Sequence, residues 1–365
     1  MKTTTSPLPD TYRVYFGTTA KGDDCGIYMA QLDTQTGRLS KPTRVSESAR
    51  PGFIVIHPDA HHIYATESTG SAPGGTTGFV SAYQITEPEG TLTDISTQPS
   101  GGPGPCHVSI DPSGTHLLAA NYRGGSCAIL PILPDGTLGA ATSIQQHSGS
   151  GPHPTRQTTA HTHSINCDPT GCFALATDLG MDKIMIYRLN TASGTLIPND
   201  PPFIKTEPGD GPRHLTFHPS GKFVYACMEL GNTVVAYEYT NGTLTEIQTR
   251  PTLPAEYDSG NDTSEICLTP DGRFLYVGNR GHDSLAIFAI DPESGKLTAL
   301  GHEPTRGNHP RHFNIDPSGT FLIAANMHSD NAVVFRIDRA TGKLEFTGNE
   351  IRVPAVSCVK FLAVQ

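Results

Sequence analysis

The sequence predicts an all-β protein: one seven-bladed β-propeller across residues 1–365, with four-stranded antiparallel blades. Three observations predict it. A Pro-x-Gly hairpin motif recurs six times, a Gly-x-Leu turn alternates with it seven times, and the two ends of the chain carry strand-like segments with no hairpin between them.

The hairpin copies are FIVIHPDAHHIYATE (53–67), HVSIDPSGTHLLAAN (107–121), SINCDPTGCFALATD (164–178), HLTFHPSGKFVYACME (214–229), EICLTPDGRFLYVGN (265–279) and HFNIDPSGTFLIAAN (312–326). Their prolines, Pro58, Pro112, Pro169, Pro219, Pro270 and Pro317, are spaced by 54, 57, 50, 51 and 47 residues. A capping residue opens each turn, proline presets φ, and glycine usually sits fourth. Apolar strands flank each turn.

The second turn ends at Leu39, Leu92, Leu138, Leu196, Leu244, Leu297 and Leu344. Seven outer turns against six inner ones leave one blade unexplained. YRVYFGT (12–18) and GIYMAQL (26–32) match the second and third strands of a blade, and VSCVKFLAVQ (356–365) matches a first strand. The termini are therefore expected to complete one blade together, leaving residues 1–11 as a flexible extension. Such closure removes exposed sheet edges.

Composition agrees and excludes several functions. There are 38 glycines, 30 prolines and only 16% charged residues, which suits short strands and tight turns. The net charge of −10, with no basic stripe, argues against nucleic acid. No apolar leader and no eighteen-residue apolar run occur, so no membrane partner is expected. The eight cysteines form no CxxC pair and are read as reduced core residues in a cytoplasmic protein. A monomer or weak homo-oligomer is expected.

In a propeller the first strand of each blade lines the central channel. The start of that strand and the loop after the second strand open on one face, and the Pro-x-Gly turns lie on the other. His57 and His218 precede the turn proline and read as caps. His61, His62, His116 and His147 read as surface residues. Counting back five and six residues from each proline gives Gly52-Phe53, Cys106-His107, His163-Ser164, Arg213-His214, Ser264-Glu265 and Arg311-His312. The second-strand exits add Glu67, Asn121, Asp178, Glu229, Asn279-Arg280 and Asn326. Buried charge is costly unless it is paired or used, so this ring reads as a functional pocket. The loop 149–164 adds His153, Arg156 and His161. HTH at 161–163 offers two imidazoles, but spacing fixes no third acidic ligand, so no metal is expected.

GxSxG, HExxH, a P-loop and a strand-linked GxGxxG are all missing, which argues against a covalent serine hydrolase and against nucleotide sites. A pocket of Arg, His and Glu suits an anionic substrate and activated water.

PHPTRQTTAHTHS, GPRHLTFHPSGKFVYACMEL, SEICLTPDGRFLYVGNRG and HPRHFNIDPSGTFLIAAN resemble the propeller-type 6-phosphogluconolactonase (cycloisomerase 2) family, from about Tyr12 onward. The resemblance implies hydrolysis of 6-phospho-D-glucono-1,5-lactone to 6-phosphogluconate in the oxidative pentose phosphate pathway, without a cofactor. HTHS, SEI, both Arg-His pairs and Arg280 match the family pattern. Glu265 or His163 is then expected to activate water. His214 or His312 is expected to serve the oxyanion or ring oxygen, and Arg213, Arg280 or Arg311 the phosphate. His107, Glu229 and Asn326 complete the expected substrate-binding set. The rival readings are a lactonase or cycloisomerase for another lactone, such as a muconate type, and a non-catalytic binding propeller.

Overall fold

The computed structural model describes residues 9–67 and 77–364. Seven four-stranded antiparallel sheets are present, and one of them joins Val356–Ala363 to Thr11–Thr18, Ile27–Asp33 and Thr43–Ser46. This is blade 1, shared by the two ends of the chain. The innermost strands of blades 2 to 7 are Ile54–Ile56, Pro105–Ile110, Thr162–Cys167, Pro212–Phe217, Asp262–Leu268 and Pro310–Ile315. Each touches the innermost strands of its two neighbours, and the last touches that of blade 1, so the ring is closed. The sole helix among the described residues is a short turn, Gly22–Asp24, and none is long and apolar enough to cross a membrane. The expected N-terminal extension lies mostly outside the described residues. Within it, Pro9 and Asp10 already accept bonds from Thr34, and Thr11 begins a strand.

Both turn motifs do the work expected of them. In the Pro-x-Gly turns, Gly114 N–H bonds Asp111 O at 2.9 Å, and the other copies repeat the contact. The fourth position is left-handed throughout, at φ +74° for Gly114 but also +64° for Ala60, the one copy without glycine. The Gly-x-Leu turns fasten blade to blade. Tyr15, Tyr64, Tyr225 and Tyr276 donate their hydroxyls to the carbonyls of Gly90, Gly136, Gly295 and Gly342 in the next blade, at 2.7 to 2.9 Å. A Cβ on Gly342 would lie 2.3 Å from Phe274, so only glycine lets that turn seat.

The core lies between blades. Tyr12, Val14 and Phe16 of blade 1 pack on Phe321, Ile323 and Ala325 of blade 7, all buried. Burying Val14, Phe16, Phe321 or Ile323 contributes about 1.5–3 kcal/mol each by leaving water. Among the eight free cysteines only Cys127, Cys227 and Cys358 are buried and Cys172 is exposed, so the reading of all eight as core residues fails.

A further feature positions the site. The innermost strands of blades 1, 3, 4, 5 and 7 carry a β-bulge at Ser357, Cys106, His163, Arg213 and Arg311, and blade 6 carries a wider one at Ser264 and Glu265. A bulge inserts an unpaired residue and re-aims side chains. Strict alternation would send Arg213 and His214 to opposite faces, whereas here both line the same cavity.

Candidate active site

A cavity opens at the channel mouth, and Phe53, Cys106, Arg213, His214, Glu265, Arg311 and His312 line it. Thr19, Arg50, Thr66 and Ser357 also reach it. The Phe53 ring lies 4.5 Å from His107, 5.9 Å from His214 and 5.5 Å from His312, centroid to centroid. It therefore spans the channel and floors the cavity. Lys360 Nζ, on the last strand, sits 4.9 Å from the same ring.

Glu265 organises one half of the site. His214 Nδ1 donates to its carboxylate at 3.1 Å, and His312 Nε2 lies 3.2 Å away. A carboxylate only accepts, so His214 carries its proton on Nδ1, and its Nε2 holds a lone pair. That Nε2 is buried and has no hydrogen-bond partner. His312 is used on both sides, since its Nδ1 accepts Val359 N–H at 3.3 Å.

Glu229 organises a second cluster that meets the cavity through Arg213; Glu229, Arg280, His163 and His107 are not among the residues that line it. Arg280 and Arg213 approach its Oε2 at 2.9 and 3.0 Å, and Arg156 pairs with Oε1. The Arg213 Nε contact is an ion pair without hydrogen-bond alignment. Further bonds tie Arg213 to Ser264 O and Arg280 to Thr263 O. His163 Nε2 lies 3.9 Å from Glu229 and 4.0 Å (through Nδ1) from the Cys106 sulfur. Arg311 differs from its neighbours. Among the described residues its guanidinium has no ion pair, and it faces the cavity.

The charges follow from these contacts. Burial pushes the Glu229 carboxyl up, but Arg280, Arg213 and Arg156 together outweigh it and hold it at about 2. Burial, then the charges of Arg213 and Arg280, bring Arg311 down to about 9, so it stays cationic at neutral pH. Burial holds His107, His163 and His214 well below the usual imidazole value and His312 at about 3, with neighbouring cations adding to the effect. All four are neutral at pH 7.

Asn326 does not join this site. It has no exposed surface, and its Nδ2 bonds Thr305 O at 3.0 Å in the loop between blades. The reason is register. Asn121, Asp178, Met228 and Asn326 each pair with the residue just before a bulge, so they are equivalent. Glu229 comes one residue later, and a one-residue step turns a side chain to the other face. Arg280 follows Asn279 in the same way, and Asn279 bonds Thr252 O while Arg280 reaches Glu229. Glu67 bonds the Tyr83 hydroxyl instead of the cavity.

His57 and His218 cap their turns as expected, their Nδ1 atoms accepting Asp59 N–H and Ser220 N–H, each at 3.1 Å. His57 Nε2 bonds Gly114 O and His218 Nε2 bonds Gly272 O, each tying its turn to the next blade. Other histidines depart from expectation. His116 and His147 are buried, not on the surface, because each fills a gap against a neighbouring blade or strand. His147 Nδ1 bonds Asp178 at 2.6 Å and its Nε2 bonds the Tyr187 hydroxyl at 2.8 Å. His161 stacks on Tyr122 at 4.5 Å and bonds its carbonyl, so the HTH imidazoles have separate partners.

Sequence reasoning missed Arg50, Thr19, Ser357 and Lys360. Laying VSCVKFLAVQ over the other first strands would have found Ser357, which takes the bulge position of Arg213 and Arg311. Arg50 lies in an aperiodic loop and gave no signal.

Comparison with known proteins agrees with this architecture. Residues 13–361 match the family model described as "Lactonase, 7-bladed beta-propeller". The chain is 39% identical, over 82% of its length and 84% of the relative, to the 6-phosphogluconolactonase of Bacillus subtilis. It is 35% identical to that of Formosa agariphila over 80% and 83% of the two chains. The solved periplasmic gluconolactonase of Pseudomonas aeruginosa superposes with a TM-score of 0.91 at 34% identity, covering 97% of this chain and all of that one (100%). The chain belongs to the seven-bladed β-propeller lactonase family.

Proposed function

We propose that this protein hydrolyses 6-phospho-D-glucono-1,5-lactone to 6-phosphogluconate, with His214 as the general base. The observation that carries the mechanism is the buried, unpartnered Nε2 of His214, a residue that lines the cavity and is backed by Glu265 on Nδ1. This reassigns the carboxylate: Glu265 positions the imidazole, and the imidazole takes the proton.

Water gives a proton to His214 Nε2 as its oxygen bonds to the lactone carbonyl carbon. The carbonyl π electrons move to oxygen, and Arg311, beside Arg213, supports that negative charge. The tetrahedral intermediate then collapses and the bond to the ring oxygen breaks. The ring oxygen takes the proton back from His214 and leaves as a hydroxyl. The new carboxylic acid ionises to water. No covalent intermediate and no cofactor are required.

Substrate charge also assists the base. The low proton affinity of His214 comes from burial, then from Arg213 and Arg311. An anion seated among these arginines cancels part of their field and makes the imidazole a better base once substrate is bound. The eight free thiols fit residence in a reducing, cytoplasmic compartment.

The test is to generate the phosphorylated lactone in situ and follow its decay above the spontaneous rate, with gluconolactone in parallel. Saturable acceleration of the phosphorylated lactone is expected. Preference for gluconolactone would favour the second reading, a non-phosphorylated substrate, which the likeness to the Pseudomonas gluconolactonase supports. No acceleration of either lactone would overturn the proposal.

A further inference from the structure

We infer that Arg50 is the residue that recognises the phosphate of the substrate, in the cavity that His214 also lines; this rests on the lactonase reading above. Three arginines line the cavity: Arg50, Arg213 and Arg311. Arg213 is bound to Glu229 and to a backbone carbonyl. Arg213 adjoins His214 on one bulged strand, and Arg311 adjoins His312, which shares the Glu265 carboxylate with His214, so both belong with the reacting carbonyl. The substrate has two anionic ends during reaction, the phosphate and the developing oxyanion, so a second cation is required away from His214. Arg50 is that cation.

Its side chain makes no hydrogen bond or ion pair among the described residues, and its Nε is buried without a partner. An N–H in that state costs about 1–3 kcal/mol unless a ligand satisfies it. The guanidinium fork matches phosphate oxygens in pairs.

The loop that carries Arg50 is built to hold it. It joins the outer strand of blade 1 to the innermost strand of blade 2. Arg50 N–H bonds Ser48 O at 3.1 Å and Gly52 N–H bonds Arg50 O at 2.8 Å. A Cβ on Gly17 would lie 2.6 Å from Pro51 O, so the loop rests directly on blade 1. Arg50 itself is left-handed, at φ +58°, a conformation that costs a non-glycine residue energy and persists only when its surroundings impose it. A rigid mount keeps the loss of freedom on binding small.

The experiment compares wild type, Arg50→Ala and Arg50→Lys on the phosphorylated and non-phosphorylated lactones. The readout is the ratio of the two kcat/KM values, with thermal melts to verify folding. Arg50→Ala is expected to lower that ratio at least about tenfold, mainly through KM, and Arg50→Lys to fall between. An unchanged ratio would overturn the assignment. Calorimetry with 6-phosphogluconate and gluconate keeps this separate from catalysis. If wild type hydrolyses no lactone, the lactonase reading fails, and Arg50 is then judged by binding alone. Tighter binding of 6-phosphogluconate than gluconate, lost in Arg50→Ala, sustains it, and equal binding in wild type sinks it.

Discussion

Two of the buried imidazole–carboxylate pairs among the described residues, His147–Asp178 and His214–Glu265, differ at one atom. In the first, Nδ1 bonds Asp178 at 2.6 Å and Nε2 is closed by the Tyr187 hydroxyl at 2.8 Å. In the second, Nδ1 bonds Glu265 and Nε2 has no partner. Thr162 adds a third contact to the first pair, which packs between blades 3 and 4 away from the channel. The second stands on a cavity wall with Arg213 and Arg311. The same pair of groups serves as a rivet where Nε2 is spent and, in the proposed mechanism, as a base where Nε2 has no partner.

Substitution should separate the two roles most strongly. His214→Ala is expected to lower kcat/KM for the lactone by about 10²- to 10⁴-fold, the usual worth of a positioned base, while the melting temperature changes little. His147→Ala should do the reverse. It leaves Asp178 buried without its cation-capable partner, costing about 3–5 kcal/mol in denaturant unfolding, with activity per folded molecule retained. If both variants lost activity alike, the contrast would collapse.

Glu265→Gln gives a smaller, sharper test. An amide oxygen still accepts from His214 Nδ1, so a positioning role predicts a loss of about 10- to 100-fold. Complete loss, equal to that of His214→Ala, would return the role of base to Glu265.

Acid titration reads the ring of neutral histidines. His107, His163, His214 and His312 have folded values below the unfolded 6.5, so the unfolded chain binds more protons below that pH. Stability should therefore be intact above about pH 6.5 and fall as pH drops, by about 1.4 kcal/mol per pH unit for each histidine. Glu229 adds to the loss between 4.5 and about 2, because its folded value is also depressed. Activity, which needs His214 neutral, should show no acid limb near pH 6.5. A stability plateau from pH 7 to 5 would contradict the buried neutral ring.

The smallest effect concerns the turn face. Ala60 holds the left-handed position that glycine holds in the other Pro-x-Gly turns, at φ +64°. Ala60→Gly should stabilise the fold by about 1 kcal/mol or less, without touching activity.

Much of the site was legible because the repeat supplies a ruler. Counting back from each turn proline found Arg213, His214, Glu265, Arg311 and His312, and all five line one cavity. The same ruler misplaced Asn326 beside Glu229, because equivalence shifts by one residue where the second strands end, and one residue reverses a side chain. His147 was unreadable for another reason. Its partners Asp178 and Tyr187 lie 31 and 40 residues away, and no local pattern announces that contact.

By itself, then, the sequence determined the number of blades, the blade closed by the two termini, and which end of the ring is structural. These follow from turn chemistry, since proline and left-handed glycine act within a few residues of chain. The tertiary structure alone decided which atoms are free to react. The bulges aim Arg213 and His214 into one space, Glu265 sets the proton on His214, and Glu229 claims three arginines while leaving Arg311 and Arg50 open. Hydrogen-bond satisfaction is a sum over groups from distant blades, and no single stretch of chain contains it.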